Sequence, residues 1–270
     1  MHPLSGKIVL ITGGSSGIGR GTALRLAGLG AKLALAARSE GPLAEAVAAA
    51  GVLGAEALAI PTDVTKVEDC RAAVEATVAR FGGLDILICS AGISMRAYFD
   101  GSDLATMHHV MDVNFYGTLN ATHFALPYVK RRRGSLVAIS SLTGKRGVPS
   151  YSLYGASKFA VQGLYESLRL ELAGEGVHVG VFSPGFVDTP LREHVLGPDG
   201  QPWAHPPPPP FKIWPLETCV NRIVRLITKR RAQALLPISM GPILVLDQAL
   251  GGWLGDMVLA RRFAREKTHQ

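Results

Sequence analysis

The sequence contains few cysteines, and this limits the kinds of protein it can be. Three occur among 270 residues, and Cys70, Cys89 and Cys219 are odd in number and far apart. Such a set excludes a disulfide framework and the close ligand spacing of a structural metal site, so we expect no bound metal. Unpaired thiols are typical of a reducing compartment, and we therefore expect a cytoplasmic protein.

A long hydrophobic segment is also missing. The N-terminus has no charged region followed by an apolar stretch and a cleavage site, as a signal peptide would have. The longest uncharged stretch near the C-terminus, Ala232–Leu246, is interrupted by Pro237 and Pro242. It is shorter than the roughly 20 residues that a spanning helix needs, so we expect no transmembrane helix.

Aromatic residues (7%) and charged residues (18%) are sparse, whereas apolar residues reach 47%. This composition excludes an intrinsically disordered chain and predicts a well-filled globular interior. The charge is unbalanced: the sequence has 28 Lys and Arg residues and 21 acidic residues, which gives a net charge of +7. An excess of positive charge favours an anionic partner: nucleic acid, a membrane surface or a phosphorylated ligand.

Short apolar runs alternate with helical patterns along the chain. This alternation is typical of a parallel sheet covered by helices on both faces. The predicted strands are Ile8–Ile11, Lys32–Ala37, Ala55–Ile60, Leu84–Ile88, Leu136–Ser140 and Val177–Phe182. The predicted helices include Ile18–Leu29, Val67–Phe81, Ser152–Leu172 and Leu216–Lys229. We therefore expect one doubly wound, Rossmann-type α/β domain over residues 1–270, with about seven strands.

The pattern changes after Pro184. Pro206–Pro210 is a run of five prolines, which favours a stiff polyproline II segment. It is either a rigid loop or an exposed ligand for an SH3-type partner, and a lone run in a compact chain favours the rigid loop. The chain then ends in an apolar extension, residues 235–270, that closes with a basic cluster.

A glycine-rich loop follows the first predicted strand directly. Glycines at this place let the backbone turn tightly and approach a pyrophosphate, whose charge lies at the helix N-terminus. We therefore expect a dinucleotide site, to which the loop contributes Gly13, Ser15, Ser16, Gly17, Ile18 and Gly19.

The second predicted strand ends without an acidic residue. Folds specific for NAD usually place Asp or Glu there to bind the ribose 2′-hydroxyl, whereas this strand is followed by Arg38 and Ser39. The Arg38 guanidinium can bind a 2′-phosphate through charge-assisted hydrogen bonds. The alternative is a solvated arginine at a strand end, but the missing acid favours NADP, with NADPH preferred over NADH.

Four polar residues are candidates for acid–base chemistry. Tyr154 and Lys158 are four residues apart and face the same side of a predicted helix, where the ammonium would lower the pKa of the phenol. Ser141 ends the preceding strand and can hydrogen-bond a substrate oxygen, although the pattern does not distinguish it from Ser140. Asn114 lies in an otherwise apolar helical stretch and is either satisfied locally or functional.

Together these residues resemble the short-chain dehydrogenase/reductase family in its common form. The similarity extends from Lys7 to about Arg192. It is carried, in this order, by the Thr12–Gly19 loop, Asp63-Val64, Ser90-Ala91-Gly92, Asn114, Ser141, Tyr154, Lys158 and Ser183-Pro184-Gly185.

The resemblance implies hydride transfer between nicotinamide and a carbonyl carbon, and a role for each residue. Tyr154 would be the general acid in reduction and the base in oxidation, while Lys158 would lower its pKa and hold the nicotinamide ribose. Ser141 would polarise the carbonyl, and Asn114 would position a water linking Lys158 to solvent. Further cofactor contacts would come from Asp63 and Val64 at the adenine, from Ser90, Ala91, Gly92, Pro184 and Gly185, and from Val187 and Thr189 at the carboxamide.

The sequence departs from the family pattern after the fourth predicted strand. The family usually has Asn-Asn-Ala-Gly there, and this chain has Cys89-Ser90-Ala91-Gly92. Because Ser90 reaches less far than asparagine, the departure puts the local support of this loop in doubt, but not the catalytic set.

Residues 191–214 correspond to the segment that such proteins use as a substrate lid. The segment contains Trp203, Phe211 and Trp214, which indicate a bulky, apolar or lipid-like substrate or else anchor the loop. We expect an NADP(H)-linked oxidoreductase acting on a ketone, an aldehyde or a secondary alcohol. The alternative is a catalytically silent NADP(H)-binding sensor or scaffold.

The tail combines apolar residues with basic ones. These are Trp253, Leu254, Met257, Val258 and Leu259, followed by Arg261, Arg262, Arg265 and Lys267. The combination makes the tail a candidate for peripheral contact with the cytosolic face of a membrane. The alternatives are an oligomer contact and a solvated helix end. The basic runs lack interleaved aromatic residues, so we expect no nucleic-acid partner. The expected assembly is a homodimer or homotetramer.

Overall fold

The structure is a computed structural model that describes residues 2–264. Seven strands form its central sheet, all of them parallel, in the order β3-β2-β1-β4-β5-β6-β9. Their bounds are β1 Ile8–Thr12, β2 Lys32–Ala37, β3 Ala57–Pro61, β4 Ile86–Cys89, β5 Ser135–Ile139, β6 His178–Pro184 and β9 Gln233–Leu236. The predicted doubly wound α/β fold with about seven strands is confirmed.

Helices cover both faces of the sheet. Their bounds are α1 Gly17–Ala27, α2 Glu40–Val52, α3 Val67–Phe81, α4 Leu104–Met111, α5 Gly117–Arg131, α6 Ser152–Glu171 and α7 Leu216–Thr228. One apolar cluster joins the sheet to α1, α2 and α7, and a second joins it to α3, α5 and α6. Because both faces are covered, β1, β5 and β6 are buried over their whole length, and Ile8–Ile11 in β1 is a continuous apolar run.

The strand order determines where a ligand can bind. From β1 the chain first builds β2 and β3 on one side and then crosses to β4, so the crossovers leave β1 and β4 in opposite directions. In open parallel sheets ligands bind outside the carboxyl ends of the strands at such a switch point. The loops that follow β1, β4 and β5 are therefore the first place to look for a site.

The C-terminal part differs from the sequence prediction. The seventh strand, β9, lies in the uncharged stretch Ala232–Leu246, for which we predicted no strand. Two short strands, β7 (Phe186–Val187) and β8 (Ile213–Trp214), form a separate pair. Two helices follow, α8 (Met240–Ala249) and α9 (Trp253–Ala264). Strand β9 was missed because a four-residue edge strand carries too little alternation to stand out from an apolar stretch.

The C-terminal helices also bear on membrane insertion. Within residues 2–264 no single helix has the length and apolarity needed to cross a membrane, although α8 and α9 taken together do, with a bend of 113° between them. Arg265 and Lys267, which we assigned to the basic cluster of the tail, lie outside the described residues.

Candidate active site

The glycine-rich loop leaves β1 and passes directly against the segment that follows β4. The Gly13 amide donates to the carbonyl oxygen of Ala36 at 2.8 Å, and Gly13 has a φ of +69°. A Cβ added to Gly13 would lie 2.7 Å from the backbone of Ala91. Since no side chain can occupy that space, the loop needs glycine to make its tight turn.

The loop leads into an open helix N-terminus. Ser16 is the N-cap residue of α1 but makes no side-chain capping hydrogen bond, and the first turn contains no acidic residue. A Cβ at Gly19 would collide with the carbonyl of Gly13. Backbone amides of this turn, which includes Ile18 and follows Ser15, are thus available to an anion, and the positive end of the helix dipole favours one. The loop fits a pyrophosphate.

At the ends of β2 and β3, Arg38 and Asp63 lie within electrostatic range of each other. Arg38 and Ser39 are exposed at the start of α2, and Val64 is buried. Burial raises the pKa of Asp63, but hydrogen bonds from Thr65 and the positive charges of Arg38 and Lys66 outweigh it and lower the pKa. The edge where the adenosine end of a dinucleotide would bind therefore presents a guanidinium beside an ionised carboxylate.

The loop after β4 is supported mainly through its backbone. The hydroxyl oxygen of Thr12 accepts hydrogen bonds from the amides of Ser90 (3.2 Å) and Ala91 (3.3 Å). Cys89 turns away into the core, where Tyr165 donates to its sulfur at 3.5 Å. The doubt raised by the missing asparagines is therefore answered by Thr12, a residue that the sequence analysis quoted as part of the glycine-rich loop without giving it a role.

Asn114 lies in a π-helical turn, Asp112–Tyr116, between α4 and α5. Its Oδ1 accepts from the Ile93 amide at 2.8 Å, while Nδ2 donates to the Ile93 carbonyl and to the Ser157 hydroxyl, each at 3.0 Å. The Cβ position of Gly92, which glycine leaves empty, lies 3.0 Å from Asn114 Oδ1 and 3.4 Å from the Lys158 Nζ. The amide oxygen of Asn114 and the amine of Lys158 therefore both lie close to the Gly92 backbone.

The structure distinguishes the two serines that the sequence left as alternatives. The hydroxyl of Ser140 donates to the backbone carbonyl of Lys158 at 3.0 Å and is thereby committed to structure. The Ser141 oxygen accepts from the Thr143 amide at 3.2 Å, and Ser141 hydrogen-bonds the hydroxyl of Tyr154. Ser141 is therefore the serine that the fold brings to the tyrosine.

Burial controls the titration of Tyr154. It raises the pKa of the phenol to about 12, although the hydrogen bond from Ser141 lowers it. We expected Lys158 to lower the pKa of Tyr154. In the protein without cofactor, the cost of burying a phenolate is larger than this effect, so the pKa rises. In this state Tyr154 is a protonated hydroxyl that can donate a hydrogen bond.

Lys158 is buried next to the tyrosine. The residue is 5% exposed, its Nζ donates to the Ile139 carbonyl at 3.1 Å, and Nζ lies 5.8 Å from the centre of the Tyr154 ring. Burial lowers the pKa of this amine from 10.5 to about 8. Near neutral pH the group can therefore gain and lose a proton more readily than an exposed lysine.

The far wall of the site follows β6. The Gly185 amide donates to the Leu236 carbonyl at 2.7 Å, which fixes the turn after Pro184, and Val187 is buried in β7. The Thr189 side chain faces the glycine-rich loop, since a Cβ on Gly17 would lie 3.4 Å from it. These residues line the side of the loop opposite Asp63, as the two ends of a dinucleotide require.

Residues 191–214 pack against Arg96 and Tyr151, and the Tyr151 ring contacts that of Tyr154. Arg96 Nη1 donates to the carbonyls of Pro207 (3.0 Å) and Pro208 (2.9 Å), and the Trp203 indole donates to the Arg96 carbonyl at 3.1 Å. The proline run is thus a fixed loop, and Trp203 anchors it. A cleft of about 60 Å³ remains beside Tyr151, lined by Arg96, Tyr151, Phe186, Arg192, Val195 and Pro206–Pro209.

Two supporting residues were missed by the sequence analysis, and a third was named in another role. Ser157 holds Asn114 and Arg96 holds the proline run, whereas Ser140, named as the alternative to Ser141, holds the backbone of α6. Each acts through a single hydroxyl or guanidinium on a distant chain segment. No local pattern in one sequence reports such a contact, because it depends on how two elements pack.

The lowered pKa of Lys158 predicts a pH-dependent stability. The pKa of Lys158 is lower in the folded than in the unfolded chain. As the pH falls from 10.5 toward 8, the unfolded chain takes up a proton at this lysine while the buried amine stays neutral, so stability is lost. The free energy of unfolding of the wild type, relative to that of Lys158→Met, should therefore rise by about 3 kcal/mol over this range. Urea titrations across the range measure it. Lys229→Met, at an exposed position, is the control, and a flat difference for Lys158→Met would show that its pKa is not lowered.

Comparisons with known proteins agree with this geometry. A family model described as short chain dehydrogenase matches residues 7–197. The 11-beta-hydroxysteroid dehydrogenase-like 4A of Arabidopsis thaliana is 39% identical over 203 residues, which are 74% of this chain and 68% of that protein. The 11-beta-hydroxysteroid dehydrogenase-like 6 of the same organism is 34% identical over 273 residues, 98% of this chain and 75% of that protein.

A solved structure is similar over nearly the whole chain. It is a short chain dehydrogenase/reductase from Burkholderia phymatum in complex with NAD, with a TM-score of 0.83 and 27% sequence identity. The match covers 93% of this chain and 97% of that one. With the family model and the curated relatives, it shows that the chain belongs to the short-chain dehydrogenase/reductase family of NAD(P)-dependent oxidoreductases.

Proposed function

We propose that this chain is an NADP(H)-dependent oxidoreductase that interconverts a ketone or aldehyde and its alcohol. The observation that carries the proposal is the arrangement at the ends of β1, β4 and β5. The Tyr154 hydroxyl is hydrogen-bonded by Ser141, and Lys158 is buried one turn further along α6, beside a loop that fits a pyrophosphate. When bound, the nicotinamide ring supplies or accepts the hydride.

Tyr154 and Ser141 are suited to the oxygen of the substrate. A carbonyl oxygen at hydrogen-bond distance from both hydroxyls would be polarised by Ser141 and protonated by Tyr154 as the hydride arrives at carbon. A phenol that stays protonated serves as the acid in reduction. In the oxidation direction Tyr154 must first lose its proton, and its phenolate oxygen then accepts the proton of the alcohol. The neighbouring ammonium of Lys158 would favour the phenolate.

Lys158 and Asn114 would return the proton to solvent. The space left by Gly92 lies within hydrogen-bond distance of Asn114 Oδ1 and close to Lys158 Nζ. We propose that a water beside the Gly92 backbone links the two groups. Asn114 Oδ1 already accepts from the Ile93 amide, and an amide oxygen has a second lone pair for such a water.

Tyr154→Phe tests the chemical role of the phenol. The variant should bind NADPH as the wild type does, but lose about 10²–10⁴-fold in kcat, because a positioned general acid contributes that much. The decrease in absorbance near 340 nm with a panel of ketones and aldehydes measures turnover, and fluorescence titration measures NADPH binding. The Tyr128→Phe variant, on α5, is the control.

The same experiment separates the enzyme from the catalytically silent sensor or scaffold. A silent protein would bind NADPH and turn over none of the carbonyls, in the wild type as in the variant. Equal turnover by Tyr154→Phe and wild type would contradict the proposed mechanism while leaving the activity in place.

We propose that NADP is the preferred cofactor because of Arg38. This guanidinium is exposed at the end of β2, where an acidic residue would select the ribose hydroxyl of NAD, and it lies within electrostatic range of Asp63. A charge-assisted hydrogen bond to a 2′-phosphate contributes about 1.5–3 kcal/mol. The neighbouring Ser39 hydroxyl is the second proposed contact for that phosphate.

Arg38→Asp should therefore raise the Kd for NADPH by at least about 10-fold, since 1.4 kcal/mol corresponds to a factor of ten. The Kd for NADH should change far less. Arg25→Asp makes the same charge change in the last turn of α1, at the end away from the glycine-rich loop. It should leave both constants near the wild-type values. An equal effect of Arg38→Asp on the two cofactors would refute the assignment of Arg38.

The proposed substrate class is bulky and lipid-like. The similar plant proteins are named as 11-beta-hydroxysteroid dehydrogenases or as proteins like them, so steroid ketones come first in the carbonyl panel. The cleft beside Tyr151 is lined by aromatic and proline rings and by two arginines, Arg96 and Arg192. The rings offer an apolar surface to part of such a molecule. We propose that residues 191–214 act as its lid.

We further propose a cytoplasmic homodimer or homotetramer that contacts the cytosolic face of membranes through its tail. Trp253 is 63% exposed and Val258 is 58% exposed on α9, close to the exposed Arg261 and Arg262. Apolar side chains beside basic ones suit the interface of an anionic bilayer.

Replacing Trp253 and Val258 together by serine should lower binding to phosphatidylserine vesicles at least about 10-fold, because two large apolar side chains would no longer enter the interface. Co-sedimentation of the full chain with vesicles measures the binding. Leu170→Ser removes an equally exposed apolar side chain from α6 and should not matter. Binding that the double variant retains in full would exclude the tail as the contact.

A further inference from the structure

Arg146 belongs to the chain segment that connects Ser141 to Tyr154, yet its side chain reaches the C-terminal hairpin, which we define as α8 and α9 with their connecting turn. Its Nε lies 3.0 Å from Oδ2 of Asp247 in α8. Its Nη2 donates to the Gly252 carbonyl at 2.9 Å and also to the carboxylate of Asp256 in α9. One guanidinium therefore holds three points of the hairpin.

The contact has a specific geometry. Asp247 is 5% exposed, and its Oδ1 accepts from the Gly255 amide at 2.6 Å. A Cβ at Gly255 would lie 2.6 Å from the Arg146 Nε and 2.7 Å from Oδ2 of Asp247, so α9 can approach the pair only because this residue is glycine. A buried carboxylate is costly unless it is paired and hydrogen-bonded, and Asp247 has both kinds of partner.

The backbone of Arg146 is tied to the turn that follows Ser141. The amides of Lys145 (3.0 Å) and Arg146 (3.1 Å) both donate to the Leu142 carbonyl. Within the same turn the Thr143 amide donates to the Ser141 hydroxyl oxygen at 3.2 Å. Because that oxygen accepts from Thr143, the serine proton is free to point elsewhere, and Tyr154 hydrogen-bonds Ser141 on the other side. A shift of the turn would change this hydrogen bond.

We propose that Arg146 is a positioning residue of the active site and that the C-terminal hairpin, held through Asp247, fixes the turn that orients Ser141. The proposal rests on the proposed function for its effect on turnover, but the coupling of the hairpin to the turn does not require any substrate. It gives the hairpin a role in catalysis that is separate from membrane contact.

Hydrogen exchange of the full chain without substrate tests the coupling. Asp247→Asn removes the buried charge and keeps the shape, so amides in a peptide covering Leu142–Tyr151 should exchange at least about 10-fold faster, as a loss of 1.4 kcal/mol in local stability implies. Asp256→Asn removes the other carboxylate bound by Arg146, which is 74% exposed, and should change the exchange less than twofold. Unchanged exchange in Asp247→Asn would overturn the proposal.

Steady-state kinetics then test positioning against simple stability. Asp247→Asn should lower kcat about 10- to 100-fold, as a misplaced catalytic group does, and leave the Kd for NADPH unchanged, since the glycine-rich loop is held by other contacts. The double variant Arg146→Met/Asp247→Leu buries no unpaired charge and should regain a Tm near that of the wild type, while its kcat stays low. Recovery of kcat together with Tm would show that the pair only stabilises the fold.

Different results would overturn the proposed function and the positioning role of Arg146. If the wild type reduces no carbonyl compound, the proposed function fails, and hydrogen exchange alone still decides whether the hairpin holds the turn. If the wild type is active and Tyr154→Phe is not, but Asp247→Asn retains full kcat, the proposed function stands and Arg146 is not a positioning residue.

Discussion

The structure depends most on the close approach of α6 to the end of β5, which is where the buried ammonium group of Lys158 is accommodated. Lys158 Nζ reaches the Ile139 carbonyl, and the Ser140 hydroxyl reaches back to the Lys158 carbonyl. A Cβ on Gly144 would lie 2.7 Å from that same carbonyl oxygen, so the turn after Ser141 must also come close. This approach sets the register between helix and strand, and the register in turn brings Tyr154 to Ser141.

Much of the fold and of the site could be predicted because both are written in local patterns. Buried strands in a two-sided parallel sheet are continuous apolar runs, and the glycine-rich loop is contiguous in sequence. Tyr154 and Lys158 share a helix face, so their spacing alone brings them together. The choice between Ser140 and Ser141 could not be made in this way, because it depends on which hydroxyl α6 covers.

The contacts made by Arg96 and Arg146 could not be predicted from the sequence, because they also depend on how distant elements pack. Strand β9 is too short to be seen within an apolar stretch, and Arg96 and Arg146 each act on a segment about a hundred residues away. The pKa of Tyr154 also depends on burial, which overrides the effect expected from a neighbouring ammonium. The positive charge noted in the composition thus has several uses, from a proposed phosphate contact at Arg38 to the docking of the C-terminal hairpin at Arg146.

In the proposed reaction, hydride passes directly between a nicotinamide and a carbonyl carbon held at Ser141 and Tyr154. A reaction with NADPH that carries deuterium at both C4 positions, using a ketone that the wild type reduces, tests this step, and mass spectrometry of the alcohol measures the result. One deuterium is expected on the carbinol carbon of each product molecule, with none exchanged with water. A product whose new carbon-bound hydrogen comes from water would rule out direct hydride transfer.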